Sequence, residues 1–215
     1  MTTLILVRHG QSNTNLEQRF TGQGHAVLTE LGHKQAECTA RYLDRYSIDV
    51  IYSSDLTRSM QTAEATAKRQ GLSVIPNARL REIDAGLWEG LPYAELKKTY
   101  PESYALWTDD LGRAHPDGGE RVTDLAERMC KEVDALAKLH RGKCIAIFSH
   151  ATPVRMVGCR WMGVPFEEAA STPRCSNASV TVAEYDDNGR FLRLVEYAYD
   201  RHLGDHTTFL PAGLA

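Results

Sequence analysis

Five side chains spread along this sequence have the chemistry to move a phosphoryl group between them: Arg8, His9, Arg58, Glu82 and His150. Arginine forks match phosphate oxygens, and two of them neutralise a phosphoryl dianion. A histidine beside two arginines loses its proton more readily, because like charge disfavours the imidazolium, and neutral imidazole is a nucleophile. The set points to phosphoryl transfer through a phosphohistidine. One histidine attacks, while the other, with Arg8 and Arg58, holds the equatorial oxygens as charge shifts. Glu82 would protonate the leaving oxygen and later deprotonate a water. Two histidines and a carboxylate can also hold a metal. Their spacings match no local metal motif, however, and two arginines would repel a cation. Neither a metal nor another cofactor is therefore expected.

Such a set works only if the fold gathers it, and the flanking patterns supply the means. Leu4 to Val7, Val50 to Tyr52 and Cys144 to Phe148 are short unbroken apolar runs, the pattern of parallel strands buried on both faces. Arg8–His9, Arg58 and His150 each follow one of these runs. Ser73 to Ile75 reads as a further strand stopped by Pro76, with Arg79, Arg81 and Glu82 beyond it. Helices alternate with the strands. One is capped by Thr29, with Ala36, Ala40 and Leu43 on its inner face. Another begins at Ser53–Ser54–Asp55, with Leu56, Met60, Ala63 and Ala67 inward, and ends at Gly71. A long one carries Val122, Leu125, Met129, Val133, Leu136 and Leu139. The last is expected to take Thr152 as N-cap and Pro153 in its first turn, and to end near Gly163. Asp187–Asn188–Gly189 between two strand-like runs, Ser179 to Tyr185 and Phe191 to Tyr197, signals a hairpin.

This alternation predicts a three-layer α/β/α fold with a mostly parallel sheet and an antiparallel C-terminal strand. In such sheets ligands bind beyond the carboxyl ends of the strands, where all five residues fall. Helix N-termini after Gly10 and at Ala151 should add free N–H groups there, and Gly10 should let the backbone turn closely around a phosphate. Residues 1–215 read as one domain with a small inserted cap at about 86–119. That cap is rich in aromatic residues: Trp88, Tyr93, Tyr104 and Trp107 could stack on a ring, although packing among themselves is the favoured reading.

Composition narrows the setting. A formal net charge of −3 over 215 residues gives no global case for nucleic acid or an anionic membrane. No stretch approaches the roughly 18 apolar residues of a membrane helix. The apolar run at the N-terminus stops at Val7, too short for a signal peptide. The five cysteines show no C-x-x-C pair and no zinc spacing, as for reduced thiols in a cytoplasmic protein. The expected partner is a small phosphate monoester. A closing hairpin leaves an edge strand, so monomer and homodimer both remain open. His25, His33, His115, His140, His202 and His206 read as surface residues, with His25 and His202 the candidates for a second role. The tail from His202 to Ala215 ends in an apolar, proline-containing run that could fold over the site.

The motifs L-V-R-H-G-Q-S-N-T-N, Y-S-S-D-L-T-R-S-M-Q-T-A, L-R-E-I-D-A-G-L-W-E-G and F-S-H-A-T-P-V-R together resemble the histidine phosphatase superfamily, the phosphoglycerate-mutase-like enzymes. The likeness also takes in Arg19–Phe20–Thr21–Gly22, P-D-G-G-E and Asn177–Ala178–Ser179–Val180, and so spans nearly the whole chain. It implies His9 as the phosphorylated nucleophile, with Arg8, Arg58 and His150 completing the phosphate pocket and Glu82 as proton donor. It also implies contact with the phosphoryl group from Asn15, and a pocket lined by Thr21, Gly22 and the amide of Ala151. Where the family usually has two small residues after the second histidine, this chain has Ala151–Thr152. The segment around Glu82 resembles the phosphatase branch; mutases usually read E-R-H-Y-G there and carry paired arginines in a longer insertion. This cap has Lys97, Lys98 and Arg113 beside Asp109 and Asp110, a balance that would not favour a second anionic group on the substrate. The resemblance thus implies a phosphomonoesterase. The alternatives are a phosphoglycerate mutase and a phosphate-binding module without catalysis.

Overall fold

The computed structural model describes residues 1–209; the end of the expected tail, 210–215, lies outside the described residues. In chain order the elements are β1 (Thr2–Arg8), a single turn α1 (Asn13–Leu16), α2 (Glu30–Leu43), β2 (Val50–Ser53), α3 (Thr57–Gln70) and β3 (Val74–Pro76). Then come α4 (Tyr93–Thr99), α5 (Pro101–Asp109), α6 (Val122–Leu139), β4 (Cys144–Ser149), α7 (Ala151–Met162), β5 (Val180–Tyr185) and β6 (Phe191–Tyr199). The strands form one six-stranded sheet in the order β3-β2-β4-β1-β5-β6. β1, β2, β3 and β4 are parallel, while β5 runs antiparallel to β1 and to β6.

The unbroken apolar strands are explained by cover on both faces. Leu4 and Leu6 of β1 pack with Met129, Val133, Val154 and Val157 of α6 and α7. Ile5 and Val7, pointing the other way, pack with Leu43, Ala63 and Ala67 of α2 and α3. All four β1 residues are completely buried, and at about 1.5–3 kcal/mol per buried aliphatic side chain this strand anchors the sheet. The expected three-layer α/β/α arrangement is the one observed.

Three local expectations are corrected. The inner face of α3 is polar: Arg58, Ser59, Thr62, Ala63, Thr66 and Ala67 are buried, while Leu56 and Met60 are only half-buried. The N-cap of α7 is His150, so Thr152 sits within the first turn instead of capping it. β3 is a three-residue edge strand that includes Pro76, a residue an edge position tolerates. The cap segment leaves and returns at one point. Gly86 has φ +51°, and a Cβ there would lie 2.4 Å from the Gly118–Gly119 backbone. Leu87 N donates to Asp117 O at 2.8 Å across the same junction.

Candidate active site

His9 follows directly on β1, and its backbone is clamped from three sides. Its amide donates to Ser149 O at 2.9 Å, and its carbonyl accepts from Ala178 N at 3.1 Å and Asn177 Nδ2 at 3.3 Å. The side chain is equally fixed. Nδ1 lies 2.7 Å from Gly10 O, an atom that only accepts, so Nδ1 carries the proton. Nε2 then holds the lone pair, and Arg58 Nε donates to it at 3.3 Å. Burial, with Arg58 and Arg8 adding like charge, pushes the His9 imidazolium well below its usual range. The residue is thus a buried, neutral imidazole with a known tautomer.

The two arginines are held by carbonyl groups instead of carboxylates. Arg58 Nη2 donates to Gly22 O at 2.7 Å and its Nη1 to Gly24 O at 3.2 Å; Arg8 Nη1 donates to Cys175 O at 2.5 Å. They are 1% and 4% exposed respectively, and neither forms an ion pair among the described residues. Burial lowers the guanidinium pKa of both, that of Arg58 to about 10. Two buried cations whose hydrogen bonds go to neutral carbonyls favour a bound anion, with Glu82 the carboxylate whose charge both of them feel.

Glu82 is the carboxylate facing them. Its oxygens accept from Ile83 N at 2.9 Å and Thr152 N at 3.2 Å. Burial raises its pKa above the ordinary carboxyl range, outweighing the two amides and Arg58, which lower it. The Glu82 backbone is braced by α6, whose Arg128 donates to Arg79 O at 2.7 Å and Arg81 O at 3.1 Å and pairs with Glu120. His150 is fully buried, with its ring centroid 5.1 Å from that of His9. Its Nε2 lies 2.8 Å from Ser54 Oγ, whereas Nδ1 is buried without a hydrogen-bond partner. Desolvation first, then Arg58 and His9, keep this imidazole neutral too.

Arg8, His9, Asn15, Thr21, Arg58, Glu82 and Ala151 line one pocket. Gly22 and His150 stand behind it, the first holding Arg58 and the second packed on His9. Asn15 Oδ1 accepts from Ser12 N and Asn177 Nδ2, both at 3.1 Å, which fixes the orientation of its amide. The expected amide cradle after Gly10 does not form: Gly10 N donates to Thr62 Oγ1 and Gln11 N to Gln35 Oε1, away from the pocket. Gly10 instead serves close packing, since a Cβ there would lie 2.6 Å from Gly32 O in α2. His25 is exposed, and His202 belongs to the frame, bonded to Thr39 Oγ1 and stacked on Tyr42 and Tyr199. Among the described residues no three His, Cys, Asp or Glu side chains are arranged to hold a metal ion.

Sequence residues 4–197 match the Histidine phosphatase superfamily (branch 1). The chain belongs to that superfamily. Phosphoserine phosphatase 1 of Hydrogenobacter thermophilus is 35% identical over 187 residues, covering 87% of this chain and 88% of that protein. A probable phosphoglycerate mutase of Yersinia pestis is 30% identical over 188 residues, 87% of each chain. Among solved structures, Bacillus stearothermophilus YhfR superposes with a TM-score of 0.89 at 28% identity, covering 94% of this chain and 100% of that one. A mycobacterial glucosyl-3-phosphoglycerate phosphatase complexed with VO3 gives a TM-score of 0.83 at 30% identity, covering 92% of this chain and 99% of that one. Family and relatives indicate an enzyme of the phosphatase and mutase type.

Further residues of this chain line the pocket beyond the expected set. Arg19, bonded to Glu17 and Gly90 O, stands at the mouth, and Tyr93 and Trp107 of the cap form a wall. The cap aromatics divide by position. Trp88 and Tyr104 are core residues around Phe20, while Tyr93 and Trp107 pack in that cluster and also face the pocket. Ser54, the partner of His150, was legible only as part of the junction where a strand gives way to a helix. Arg19 does lie within a family motif, and that was the one available signal for it.

Proposed function

We propose that this protein is a phosphomonoesterase that hydrolyses a small phosphorylated metabolite through a phosphohistidine on His9. The observation that carries this reading is the fixed tautomer: Nδ1 tied to Gly10 O leaves the lone pair on Nε2, beside the Arg58 guanidinium. Nε2 attacks phosphorus and the ester P–O bond breaks. The leaving oxygen takes the proton of Glu82, whose raised pKa suits a general acid. Arg8, Arg58 and Asn15 hold the transferring oxygens with the Ala151 amide. If Ser54 O–H donates to His150 Nε2, then His150 Nδ1–H is left to donate to the same group. In the second half a water gives its proton to the Glu82 carboxylate and attacks phosphorus. The P–N bond breaks, and inorganic phosphate leaves His9 neutral again.

Relatives named for phosphatase activity on phosphoserine and glucosyl-3-phosphoglycerate support hydrolysis as the outcome. The test is turnover of p-nitrophenyl phosphate with phosphate release, plus trapping of a phosphoenzyme that is labile in acid and stable in base. His9→Ala should lose both. Equal rates in wild type and His9→Ala would remove the covalent route, and rapid phosphoglycerate interconversion with negligible phosphate release would make the enzyme a mutase.

A further inference from the structure

A second cavity opens beside the phosphate pocket and shares Arg8, Trp107, Ala151 and Thr152 with it; its far wall is made by Arg155 and Arg174. Arg155 comes from α7 and is 9% exposed. Its partners are all neutral: Thr172 Oγ1 at 3.2 Å, Ala169 O at 2.7 Å and Thr172 O at 3.3 Å. Among the described residues it forms no ion pair, so within them its buried positive charge beside the cavity is met by neutral groups alone. Arg174 adds a second guanidinium to that wall. Its charge is felt at the Tyr93 hydroxyl, which lines the phosphate pocket. Independently, the Trp107 indole Nε1 is buried without a hydrogen-bond partner, although Trp107 lines both cavities. Unpaired buried N–H groups are uncommon and call for an acceptor.

We propose that this second cavity is an anion subsite, in which Arg155 and Arg174, with the Trp107 indole, receive a carboxylate carried by the alcohol portion of the substrate. The inference rests on the phosphomonoesterase reading and narrows it to phosphorylated hydroxy acids. It replaces the expectation drawn from the cap's charge balance. Lys97 and Lys98 are exposed, and Arg113 is tied to Asp110. The cations that matter come from α7 and the segment before β5. A carboxylate here would sit within reach of Arg8 and hold the ester oxygen on the Glu82 side of the phosphate pocket.

The test compares 3-phosphoglycerate with glycerol 3-phosphate, which has the same skeleton but a hydroxymethyl group in place of the carboxylate. Each is measured as a competitor of p-nitrophenyl phosphate hydrolysis, so the readout does not depend on either being the natural substrate. A charged hydrogen bond is worth about tenfold or more in affinity. The inhibition constant of 3-phosphoglycerate should therefore be about tenfold lower or better. That ratio should collapse in Arg155→Gln and Arg174→Gln, shrink in Trp107→Phe, and largely survive in Arg155→Lys. If Arg155→Gln fails to fold, Arg174→Gln and Trp107→Phe give the same reading, because a purely structural arginine would weaken both compounds equally. Equal inhibition constants in the wild type, or a ratio unchanged in all these variants, would overturn the subsite while leaving the phosphatase intact. Absence of p-nitrophenyl phosphate hydrolysis would overturn both.

Discussion

Glu82 and His9 are pushed away from their usual ionisation by the same burial, but in opposite senses, and the pH profile should show it. The carboxyl is held above its ordinary range and the imidazole well below its own. Turnover needs Glu82 protonated and His9 neutral. Activity should therefore fall on the alkaline side as Glu82 ionises, and on the acid side only well below the usual histidine range, giving an optimum displaced to acid. Glu82→Gln should remove the alkaline limb. It should also cost alkyl phosphates about 10²–10⁴ in kcat/KM, the usual worth of a general acid. p-Nitrophenyl phosphate should lose much less, because its leaving group needs little protonation. An equal fall for both substrates, with the alkaline limb intact, would take the proton-donor role away from Glu82.

At the scale of elements, the site depends on how tightly α2 approaches the turn after β1. A Cβ on Gly10 would meet Gly32 O at 2.6 Å, and one on Gly32 would meet Gln11 O at 2.1 Å; both obstacles are backbone. Gly10→Ala should therefore destabilise the protein by about 1–3 kcal/mol, the usual cost of overpacking, which lowers the melting temperature by roughly 2–12 °C. It should also reduce kcat, because Gly10 O fixes the His9 tautomer. An unchanged melting temperature would mean that α2 gives way freely. This contact also marks where the sequence was readable. Strands buried on both faces announce themselves as apolar runs, and so the positions of Arg8, His9 and His150 at strand ends could be read directly. The inner face of α3 could not, because its buried residues are polar and no apolar periodicity marks them. Thr62 accepts from Gly10 N, and Ser59 pairs with Ser53. Apolar spacing instead singled out Leu56 and Met60, which are half-buried. Arg155 was hidden for the same reason: on a helix its burial depends on carbonyl acceptors in another segment, which no periodicity reports.

The whole molecule carries a formal net charge of −3, yet its pocket buries Arg8 and Arg58 without an ion pair among the described residues. Cations clustered in a concave site with low-dielectric walls focus the field and draw in anions, whatever the net charge. The folded state should therefore bind inorganic phosphate, while the unfolded chain has no such site. At a phosphate concentration about 100 times its dissociation constant, mass action adds about 2.7 kcal/mol. For a chain of this size that raises the melting temperature by roughly 5–10 °C. Chloride at matched ionic strength controls for screening and should give little. Arg58→Lys keeps a charge but loses the fork that bridges His9 and the Gly22 carbonyl, so the phosphate-induced shift should shrink in that variant. A shift of the same size in Arg58→Lys, or one matched by chloride, would mean that the buried arginines do not hold the oxyanion and that the charge of the pocket is structural.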